Sequence, residues 1–384
     1  MLTVTHLMPF KESPSGAVFS GAENHLFTLM EAQRQSGLAV ELGMLIYRHG
    51  PVLAAKIEAL RQQGVAVFSV EAQPLLNLPE GFPRLRSLRL ITDLRRILSY
   101  KRGHIIHTHL DDGDLCGKIA AWLAGCPYVV STFHNNEPHY LTRHWQMRLK
   151  LLERLTKEQI AISNAVRQEL VDLVGLSDKL TTVYYGVKPP SSSRGLEELR
   201  HHYQIPLHRF VVGFVGRLMP QKNIAFFIEA LAQLPNVHGV IVGEGPLRSE
   251  LEAQSRHLQM RNIQFLGYQP NGAEIISCFD VFCLPSRWEG LGLVLLEAML
   301  QKVLVIGSRA GAIPEILGEG QYGLLCDSDE PSQLAAQIGY AQRERASTRR
   351  IIEKSFDYAQ KRFTVEAMLK ETLNVYEKAL RNEH

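Results

Sequence analysis

The sequence lacks the features that mark several common classes of protein. Its five cysteines, in 384 residues, form neither a CxxC pair nor a Cys/His spacing typical of a zinc site. No apolar run approaches the roughly 18 residues of a membrane span, and the N-terminus does not resemble a signal peptide. The net charge of +3 is too small to argue for nucleic acid as a partner. These absences favour a cytoplasmic protein with reduced core thiols.

The composition is that of a globular protein with two domains of ordinary size. Hydrophobic residues make up 45% of the chain and charged residues 21%. Residues 186–195, GVKPPSSSRG, combine Gly, Pro-Pro and a Ser run and form the best candidate linker. We therefore predict an N-terminal domain over 1–188 and a C-terminal domain over 189–363. The helical pattern in 364–384 is expected to pack back on the N-terminal domain.

Short apolar runs alternate with helical patterns in both halves of the chain. This alternation predicts βαβ units, and hence an α/β fold with a parallel sheet in each domain. Ligands of such sheets bind beyond the carboxyl ends of the strands, so the residues after each run are the candidates for a site. The predicted strands are 2–8, 38–46, 65–70, 103–109, 126–132, 158–162, 210–216, 237–242, 262–266, 279–284 and 303–307.

In the first half, polar residues follow three of these strands, at 107–114, 132–136 and 163–164. The Asp residues in 111–114 could bind Mg²⁺, but we favour the view that they charge the first turn of a helix over 115–124, and we predict no metal. His134 either hydrogen-bonds a substrate hydroxyl or is a structural histidine, and the residues alone leave both open. Gly21 lies where a loop enters a helix, which suits a phosphate.

In the second half, the strongest candidate is the segment 284–299, LPSRWEGLGLVLLEAM. A buried strand ends here, a Gly-bearing loop turns, and a helix begins, so free backbone N–H groups point outward, which suits an anion. Glu289 and Glu297 bracket this junction. Arg217 and Lys222 lie between another strand and its helix, and we predict that they complete a diphosphate clamp.

Two stretches, 84–102 and 143–157, are strongly basic and have helical periodicity. Basic amphipathic helices bind anionic membrane surfaces, but the same pattern also describes a solvated helix face. Both interpretations stay open at this point.

Several motifs, taken in order, resemble those of the retaining glycosyltransferases of family 4, which have the GT-B fold. The resemblance covers nearly the whole chain, and EGLGLVLLEAM matches the family's E-x7-E motif closely. Ser20 stands where the family has its first glycine, and Tyr185 where it has Asn. The motifs are SGAE at 20–23, TFHN at 132–135, AISNAVRQEL at 161–170, YYGV at 184–187, GRLMPQKN at 216–223, VGEGPLRSEL at 242–251 and EGLGLVLLEAM at 289–299.

The resemblance implies two Rossmann-like domains facing each other across a cleft, an acceptor-side N-terminal domain and a C-terminal domain that binds a nucleotide-diphosphate sugar. Arg217 and Lys222 would bind the diphosphate and stabilise the leaving group. Glu297 would hold the ribose hydroxyls, Glu289 would contact the sugar and the α-phosphate, and His134 would contact the transferred sugar. The other implied donor-binding positions are Gly21, Gly243, Gly267, Tyr268, Gly290, Leu291 and Gly292.

The resemblance also implies transfer with retention, in which the leaving phosphate accepts the proton of the attacking hydroxyl. No protein base, metal or cofactor is then expected. The implied acceptor is a glycan, a lipid-linked sugar or a polysaccharide of the cell envelope, reached from the cytoplasm or from the inner face of the membrane. Two alternatives stay open: a nucleotide-sugar-binding protein without activity, and a nucleotide-sugar 2-epimerase on the same fold.

Overall fold

A computed structural model describes residues 2–11, 21–48, 50–71, 83–135, 142–176, 179–189, 194–269, 272–327 and 329–381. The chain divides into two compact units. Unit 1 comprises Met1–Gly186 and Val365–His384, and unit 2 comprises Val187–Thr364. Each unit is built on one parallel sheet. Within the described ranges, no helix is long and apolar enough to cross a membrane.

The sheet of unit 1 has seven parallel strands in the order β3-β2-β1-β4-β5-β6-β7, so the strand order reverses between β1 and β4. The strands are β1 (Thr3–Lys11), β2 (Ala39–Arg48), β3 (Ala66–Glu71), β4 (Ile105–His109), β5 (Val129–Phe133), β6 (Glu158–Ala161) and β7 (Leu180–Thr182). The helices are α1 (Gly21–Gln35), α2 (Pro51–Gln62), α3 (Pro83–Leu98), α4 (Leu110–Ala124), α5 (Arg143–Glu153) and α6 (Asn164–Val174).

The sheet of unit 2 has six parallel strands in the order β10-β9-β8-β11-β12-β13, the same Rossmann-like order with the reversal between β8 and β11. The strands are β8 (Phe210–Val215), β9 (Val237–Val242), β10 (Ile263–Gly267), β11 (Val281–Leu284), β12 (Leu304–Ser308) and β13 (Leu324–Cys326). The helices are α7 (Leu196–His202), α8 (Ile224–Ala232), α9 (Arg248–His257), α10 (Gly272–Ile276), α11 (Leu293–Leu300), α12 (Ile313–Ile316), α13 (Pro331–Arg343) and α14 (Arg345–Arg362).

The central strands of each sheet are buried on both faces, as is typical of parallel sheets covered by helices on both sides. Every residue of β4, β5, β6, β11 and β12 is buried. The prediction of an α/β fold with two parallel sheets is confirmed, and all eleven predicted strands are present. The three-residue strands β7 and β13 escaped prediction because such short runs carry no usable periodicity.

The last helix of the chain, α15 (Val365–Arg381), belongs to unit 1 although it follows unit 2 in the sequence. Its buried face packs against α1 and β6, where Val375 and Tyr376 join a core cluster with Val4 and Leu29. The core of unit 1 therefore includes side chains from the last helix of the chain.

The start of α4 differs from the prediction of a helix over 115–124, because α4 already begins at Leu110. Asp111 and Asp112 do lie in its first turn. Asp114 instead is buried, accepts a hydrogen bond of 2.8 Å from the Thr108 hydroxyl, and lies 2.9 Å from the Nζ atom of Lys118. The Lys118 side chain is 1% exposed, so Asp114 neutralises a buried cation.

Candidate functional site

The candidate site of unit 2 lies at the carboxyl end of its sheet, where the strand order reverses. β8 and β11 are neighbours there, with Val212 opposite Val281 and Gly213 opposite Phe282. A 3₁₀ turn, Pro220–Lys222, follows β8, and the loop 285–292 follows β11. The segments that the sequence singled out thus leave the sheet side by side, at the position where open α/β sheets bind ligands.

An ion pair joins these two segments. The Nζ atom of Lys222 lies 2.5 Å from Oε2 of Glu289, and the side chains are 13% and 11% exposed. The Ser286 hydroxyl donates to the same carboxylate oxygen over 3.1 Å. Since Lys has three N–H donors, two remain for another anion.

The backbones of the two segments are also joined. The Arg287 amide donates to the Gln221 carbonyl over 2.8 Å, and the Gln221 side-chain amide donates to the Trp288 carbonyl over 3.0 Å. These bonds fix the distance between the turn and the loop, so the position of Lys222 relative to Glu289 does not depend on the ion pair alone.

The loop after β12 supports Glu289 from another direction. The Ala312 amide donates to the Glu289 carbonyl over 2.9 Å. Gly311 has φ +53°, and a Cβ atom there would lie 2.2 Å from the same carbonyl oxygen. Only glycine allows this approach, so the backbone of Glu289 is held firmly.

The start of α11 completes this edge of the site. Gly292 precedes the helix with φ +81°, and a Cβ atom there would lie 3.3 Å from Cγ of Glu289. Gly290, Leu291 and Gly292 are all buried. The three amides that the sequence assigned to an anion therefore belong to a buried turn around the Glu289 side chain.

Glu297 lies on α11, within the motif that begins at Glu289. It is partly buried, and burial raises the pKa of its carboxyl group to about 7 by disfavouring the charged form. Across the described part of the chain, its carboxyl oxygens have no hydrogen-bond or ion-pair partner. A buried acceptor of this kind suits a ligand that brings its own hydroxyl donors.

Arg217 follows β8 directly and is exposed. Within the residues that the structure describes, its guanidinium has no hydrogen-bond or ion-pair partner. A guanidinium without such a partner, in the same segment after β8 as Lys222, is suited to bidentate binding of a phosphate.

Backbone hydrogen bonds join the loop after β8 to the end of β9, and the loop after β9 to the end of β10, along the same edge of the sheet. The Gly216 amide donates to the Val242 carbonyl over 3.0 Å, and the Gly243 amide donates to the Gly267 carbonyl over 2.8 Å. Gly243 has φ +133°, and a Cβ atom there would lie 1.9 Å from the Gly216 carbonyl oxygen. Tyr268, directly after β10, is 52% exposed. Gly243 is therefore required by the backbone, whatever it binds.

In unit 1, the predicted residues fall at the start of α1 and at the end of β5. Gly21 is the first residue of α1 and is exposed, whereas Ser20 and Asn136 lie outside the described residues.

His134 is 8% exposed and follows β5. Its Nε2 atom lies 2.9 Å from Nδ1 of His109, and its Nδ1 atom contacts the Tyr185 hydroxyl. Both ring nitrogens of His134 thus have partners inside unit 1.

His134 is one end of a buried cluster that sequence reasoning missed. We call it the histidine network; its members are His6, Gln33, His107, His109, Thr132, His134, Tyr185 and Tyr376. A signal for it exists, because β1 and β4 place His6 directly opposite His107, and the spacing of two in a strand puts His107 and His109 on one face. Recognising it needs the pairing of β1 with β4, which the sequence does not display.

Three members of the network, His6, His107 and His109, could also hold a metal ion. One nitrogen of each ring lies within 4.8 Å of the others. Among the described residues, this is the group of His, Cys, Asp or Glu side chains whose ligand atoms lie close enough together to hold an ion. Each of these rings already has hydrogen-bond partners at 2.7–3.0 Å on both nitrogens. The cluster is therefore satisfied by hydrogen bonds without an ion.

The basic stretches form part of one helical layer of unit 1, in which α3 packs against α4 and α4 against α5. Exposed cations occur together with exposed apolar side chains on these helices and in the residues that follow α3 and α5. The cations are Arg89, Arg95, Arg96, Arg102, Arg143, Lys150 and Arg154, and the apolar residues are Leu88, Tyr100, Trp122, Leu123, Met147 and Leu151. We call this set the basic-apolar face.

Comparison with known proteins covers both units. Residues 19–189 match the family model described as Glycosyltransferase Family 4, and residues 196–357 match that described as Glycosyl transferases group 1. Over 272 residues the chain is 30% identical to the alpha-maltose-1-phosphate synthase of Mycolicibacterium smegmatis, covering 62% of this chain and 68% of that one. It is also 30% identical over 250 residues to the UDP-Gal:alpha-D-GlcNAc-diphosphoundecaprenol alpha-1,3-galactosyltransferase of Escherichia coli.

The match to the E. coli protein covers 60% of this chain and 64% of that protein, which is less than two thirds of its length. Among solved structures, Anabaena HepE in complex with UDP and glucose superposes with a TM-score of 0.82. That match covers 98% of this chain and 100% of the other, at 22% identity. At this level of identity the likeness concerns the fold.

Proposed function

The chain belongs to the family-4 glycosyltransferases of the GT-B fold, which transfer a sugar from a nucleotide sugar with retention, and we propose that it performs such a transfer to a hydroxyl of a cell-envelope glycan, lipid-linked sugar or polysaccharide. In this proposal unit 2 binds the donor and unit 1 binds the acceptor. The observation that carries it is the Lys222–Glu289 ion pair at the point where the strand order of unit 2 reverses, with Arg217 in the same segment after β8 as Lys222.

The chemistry of transfer explains why these charges are needed. Breaking the bond between sugar and phosphate develops negative charge on the diphosphate and positive charge at the anomeric carbon. Arg217 and Lys222 stabilise the diphosphate, and Glu289 faces the developing positive charge. A charged contact that is stronger in the transition state is worth roughly 3 kcal/mol. No protein base is assigned, because the leaving phosphate accepts the proton of the attacking hydroxyl.

The remaining donor contacts follow from the same placement. Glu297 accepts hydrogen bonds from the ribose hydroxyls, and the turn formed by Gly290, Leu291 and Gly292 contacts the sugar and the α-phosphate. Gly243, Gly267 and Tyr268 border the nucleotide. On unit 1, Gly21 approaches the phosphates and His134 contacts the transferred sugar.

Uridine is the base we propose for the donor. HepE is described in complex with UDP and glucose, and the E. coli relative is named for a UDP-galactose donor. The same E. coli name contains a diphosphoundecaprenol-linked acceptor, which supports a lipid-linked acceptor here. The transfer is proposed to need no divalent metal, since Arg217 and Lys222 supply the positive charge.

The first experiment is a panel of UDP-, GDP- and ADP-linked sugars tested for thermal stabilisation of the purified protein, because a bound donor raises the melting temperature by mass action. The stabilising donor is then incubated with the protein, with and without EDTA, and the products are followed by NMR. Transfer or slow hydrolysis with retained anomeric configuration supports the proposal. Binding without turnover would favour the inactive binding protein, and inversion at C2 of the sugar would favour the epimerase.

We further propose that the basic-apolar face contacts an anionic membrane. It joins cations to exposed large apolar side chains, among them Trp122 at 63% and Met147 at 74% exposure, which is the pattern of interfacial binding. The protein should pellet with phosphatidylglycerol vesicles at low salt but not with phosphatidylcholine vesicles. The double variant Arg95→Glu/Arg96→Glu should lose this binding, and Arg349→Glu/Lys361→Glu, on unit 2, should retain it. Equal recovery with both lipids would contradict the proposal.

A further inference from the structure

The histidine network forms one unbroken line of hydrogen bonds through the core of unit 1. His6 Nε2 lies 2.8 Å from the Gln33 side-chain oxygen, and His6 Nδ1 lies 3.0 Å from His109 Nε2. His109 Nδ1 lies 2.9 Å from His134 Nε2, and His134 Nδ1 meets the Tyr185 hydroxyl. Every ring nitrogen on this path faces a single partner.

A second branch leaves the other side of Gln33. Its side-chain nitrogen donates to the Tyr376 hydroxyl over 3.0 Å, and that hydroxyl lies 2.7 Å from His107 Nδ1. His107 Nε2 lies 2.7 Å from the Thr132 hydroxyl. Gln33 is thus the point where both branches meet, on α1, whereas His6, His107 and His109 come from β1 and β4.

With its oxygen facing His6 and its nitrogen facing Tyr376, the Gln33 amide sets the direction of every bond in both branches. An amide oxygen only accepts, so His6 must donate from Nε2. A neutral His6 then accepts at Nδ1, which requires an Nε2–H on His109, and the same reasoning requires an Nε2–H on His134. His134 is left with an unprotonated Nδ1 that accepts from Tyr185. On the other side, Tyr376 accepts from Gln33 and donates to His107.

The rings stay neutral because they are buried away from compensating charge. His6, His107 and His109 are 0% exposed, and burial lowers the pKa of His6 to about 4 and that of His134 to about 3. The pKa of His109 is also held well below its usual value by burial, with further lowering from the neighbouring histidines. A neutral imidazole has one donor and one acceptor, so the tautomer of each ring follows from that of its neighbour.

A metal ion would require a different arrangement of protons. It would have to displace the proton shared between His6 Nδ1 and His109 Nε2, and it would take one nitrogen of His107 from Tyr376 or Thr132. The hydrogen-bonded arrangement leaves no nitrogen of the three rings unused, and it accounts for the positions of Gln33 and Tyr376 as well.

We propose that Gln33 is a positioning residue that sets the tautomer of His134 from a distance, through His6 and His109, so that Nδ1 of His134 is always a hydrogen-bond acceptor. Tyr185 occupies that acceptor, at the position where the family motif has Asn. A consequence, which rests on the proposed function, is that a sugar group binding His134 must displace the Tyr185 hydroxyl and must itself be a donor. A sugar hydroxyl meets this requirement, whereas an ether oxygen does not.

The test reads the tautomers directly by ¹H–¹⁵N NMR of the full chain at neutral pH, without substrate. In the wild type, His6, His109 and His134 should each show a protonated Nε2 and an unprotonated Nδ1. Gln33→Met, which keeps the volume but removes the amide, should give a mixture of tautomers at all three rings. Gln33→Glu keeps an acceptor oxygen for His6 and should restore the single tautomer at His134. Gln35→Leu, an exposed change on the same helix, should leave the pattern intact.

Three results would overturn the proposal. One is a protonated Nδ1 on His134 in the wild type, which needs no variant and so holds even if Gln33→Met fails to fold. Another is an unchanged His134 tautomer in Gln33→Met while His6 changes. The third is stoichiometric uptake of Zn²⁺ with loss of the His6, His107 and His109 N–H signals, which would make the cluster a metal site. None of these readouts depends on transferase activity.

The consequence for catalysis is tested separately in the same variants. Gln33→Met should lower kcat in proportion to the fraction of His134 that has lost its acceptor Nδ1, so an even tautomer mixture should lower kcat about twofold. Its affinity for the donor nucleotide, bound by unit 2 in our proposal, should not change, and Gln33→Glu should recover kcat. A tautomer mixture at His134 with an unaltered kcat would refute the catalytic consequence and leave the proposed transfer reaction standing.

Discussion

The Nζ atom of Lys222 and the Oε2 atom of Glu289 lie 2.5 Å apart, although the two residues come from different crossover connections of unit 2. Both charged side chains are nearly buried, and each neutralises the charge of the other. A pair of this kind is weak evidence for stability, because desolvation offsets the attraction, but breaking it leaves an uncompensated charge. It lies at the reversal of the strand order, where we propose that the donor binds.

The first prediction concerns Lys222→Ala. This change removes positive charge from the proposed diphosphate site and leaves Glu289 without its cation. We expect the rate of sugar transfer to fall by at least about a hundredfold, and the free energy of unfolding to fall by about 2–3 kcal/mol. The protein should remain folded by circular dichroism. Lys354→Ala, at an exposed position of α14, should change neither quantity. Near-normal turnover of the Lys222 variant would contradict the role of Lys222 in the proposed mechanism.

The second prediction concerns pH and Glu297. Its pKa of about 7 means that the carboxyl group is mostly protonated at pH 6 and mostly ionised at pH 8. The ionised form accepts two hydroxyl donors, so the affinity for a nucleotide sugar should rise roughly tenfold between these values. The ligand should be the nucleotide sugar and not a free diphosphate, whose terminal phosphate titrates near pH 6. Glu297→Gln should flatten the profile, and Glu250→Gln, exposed on α9, should not.

For Glu297 we also predict that the free energy of unfolding falls as the pH rises, whereas the affinity for the donor rises. The raised pKa in the folded state means that the folded protein holds a proton between about pH 4.5 and 7 that the unfolded chain releases. Stability therefore falls as pH rises through this window, by up to about 3 kcal/mol. The loss should be absent in Glu297→Gln, as measured by urea unfolding at pH 5 and pH 8. Parallel curves for the wild type and the variant would show that the carboxyl group is not buried as described.

The third prediction is acid sensitivity of unit 1. The pKa of His6 is lowered by burial to about 4 from 6.5, so the unfolded chain binds the proton first. The stability contributed by neutral His6 is present above pH 6.5 and is lost as pH falls toward 4, by about 3 kcal/mol for this one group. Urea unfolding between pH 7 and pH 4 measures it. His6→Asn should reduce the pH slope, whereas His257→Asn, at an exposed site, should keep it.

The fourth prediction concerns Gly243 and tests whether the backbone of the loop itself requires glycine at this position. Its positive φ and the 1.9 Å approach of a Cβ atom to the Gly216 carbonyl make alanine incompatible with the loop. Gly243→Ala should lower the free energy of unfolding by about 2–4 kcal/mol. It should also weaken donor binding, because it displaces the backbone of the loops after β8 and β9. Gly103→Ala has open space around the added methyl group and should be neutral within about 0.5 kcal/mol. Equal melting temperatures for both variants would contradict the assigned backbone role.

Much of the fold could be predicted because both sheets are parallel and buried. Strands covered on both faces are rich in apolar residues, so β11 stands out in the sequence as a short apolar run, and β4 and β5 each begin with an apolar pair. The segments after β8 and β11 also stand out, because Pro220 and Pro285 interrupt the pattern. The start of α4 was misjudged since Asp114 looks like a residue of the first helical turn, whereas it is a buried partner of Lys118.

The sequence alone determined which residues could meet at the edge of each sheet. A strand end followed by a helix start places Arg217, Lys222 and Glu289 in the right loops, because ligands of a parallel sheet bind there. Order along the chain also carried the resemblance to a family. These are local properties: periodicity, turn residues and spacing within a motif.

The tertiary structure decided which of these residues touch. The register of β1 against β4 brings His6 opposite His107, and the return of α15 to unit 1 brings Tyr376 to the same cluster. The contact of Tyr185 with His134 spans 51 residues, and the pair of Lys222 with Glu289 spans 67. Burial then sets the pKa values of Glu297 and His134. Pairing, packing and desolvation depend on the whole fold, and no local pattern in the sequence encodes them.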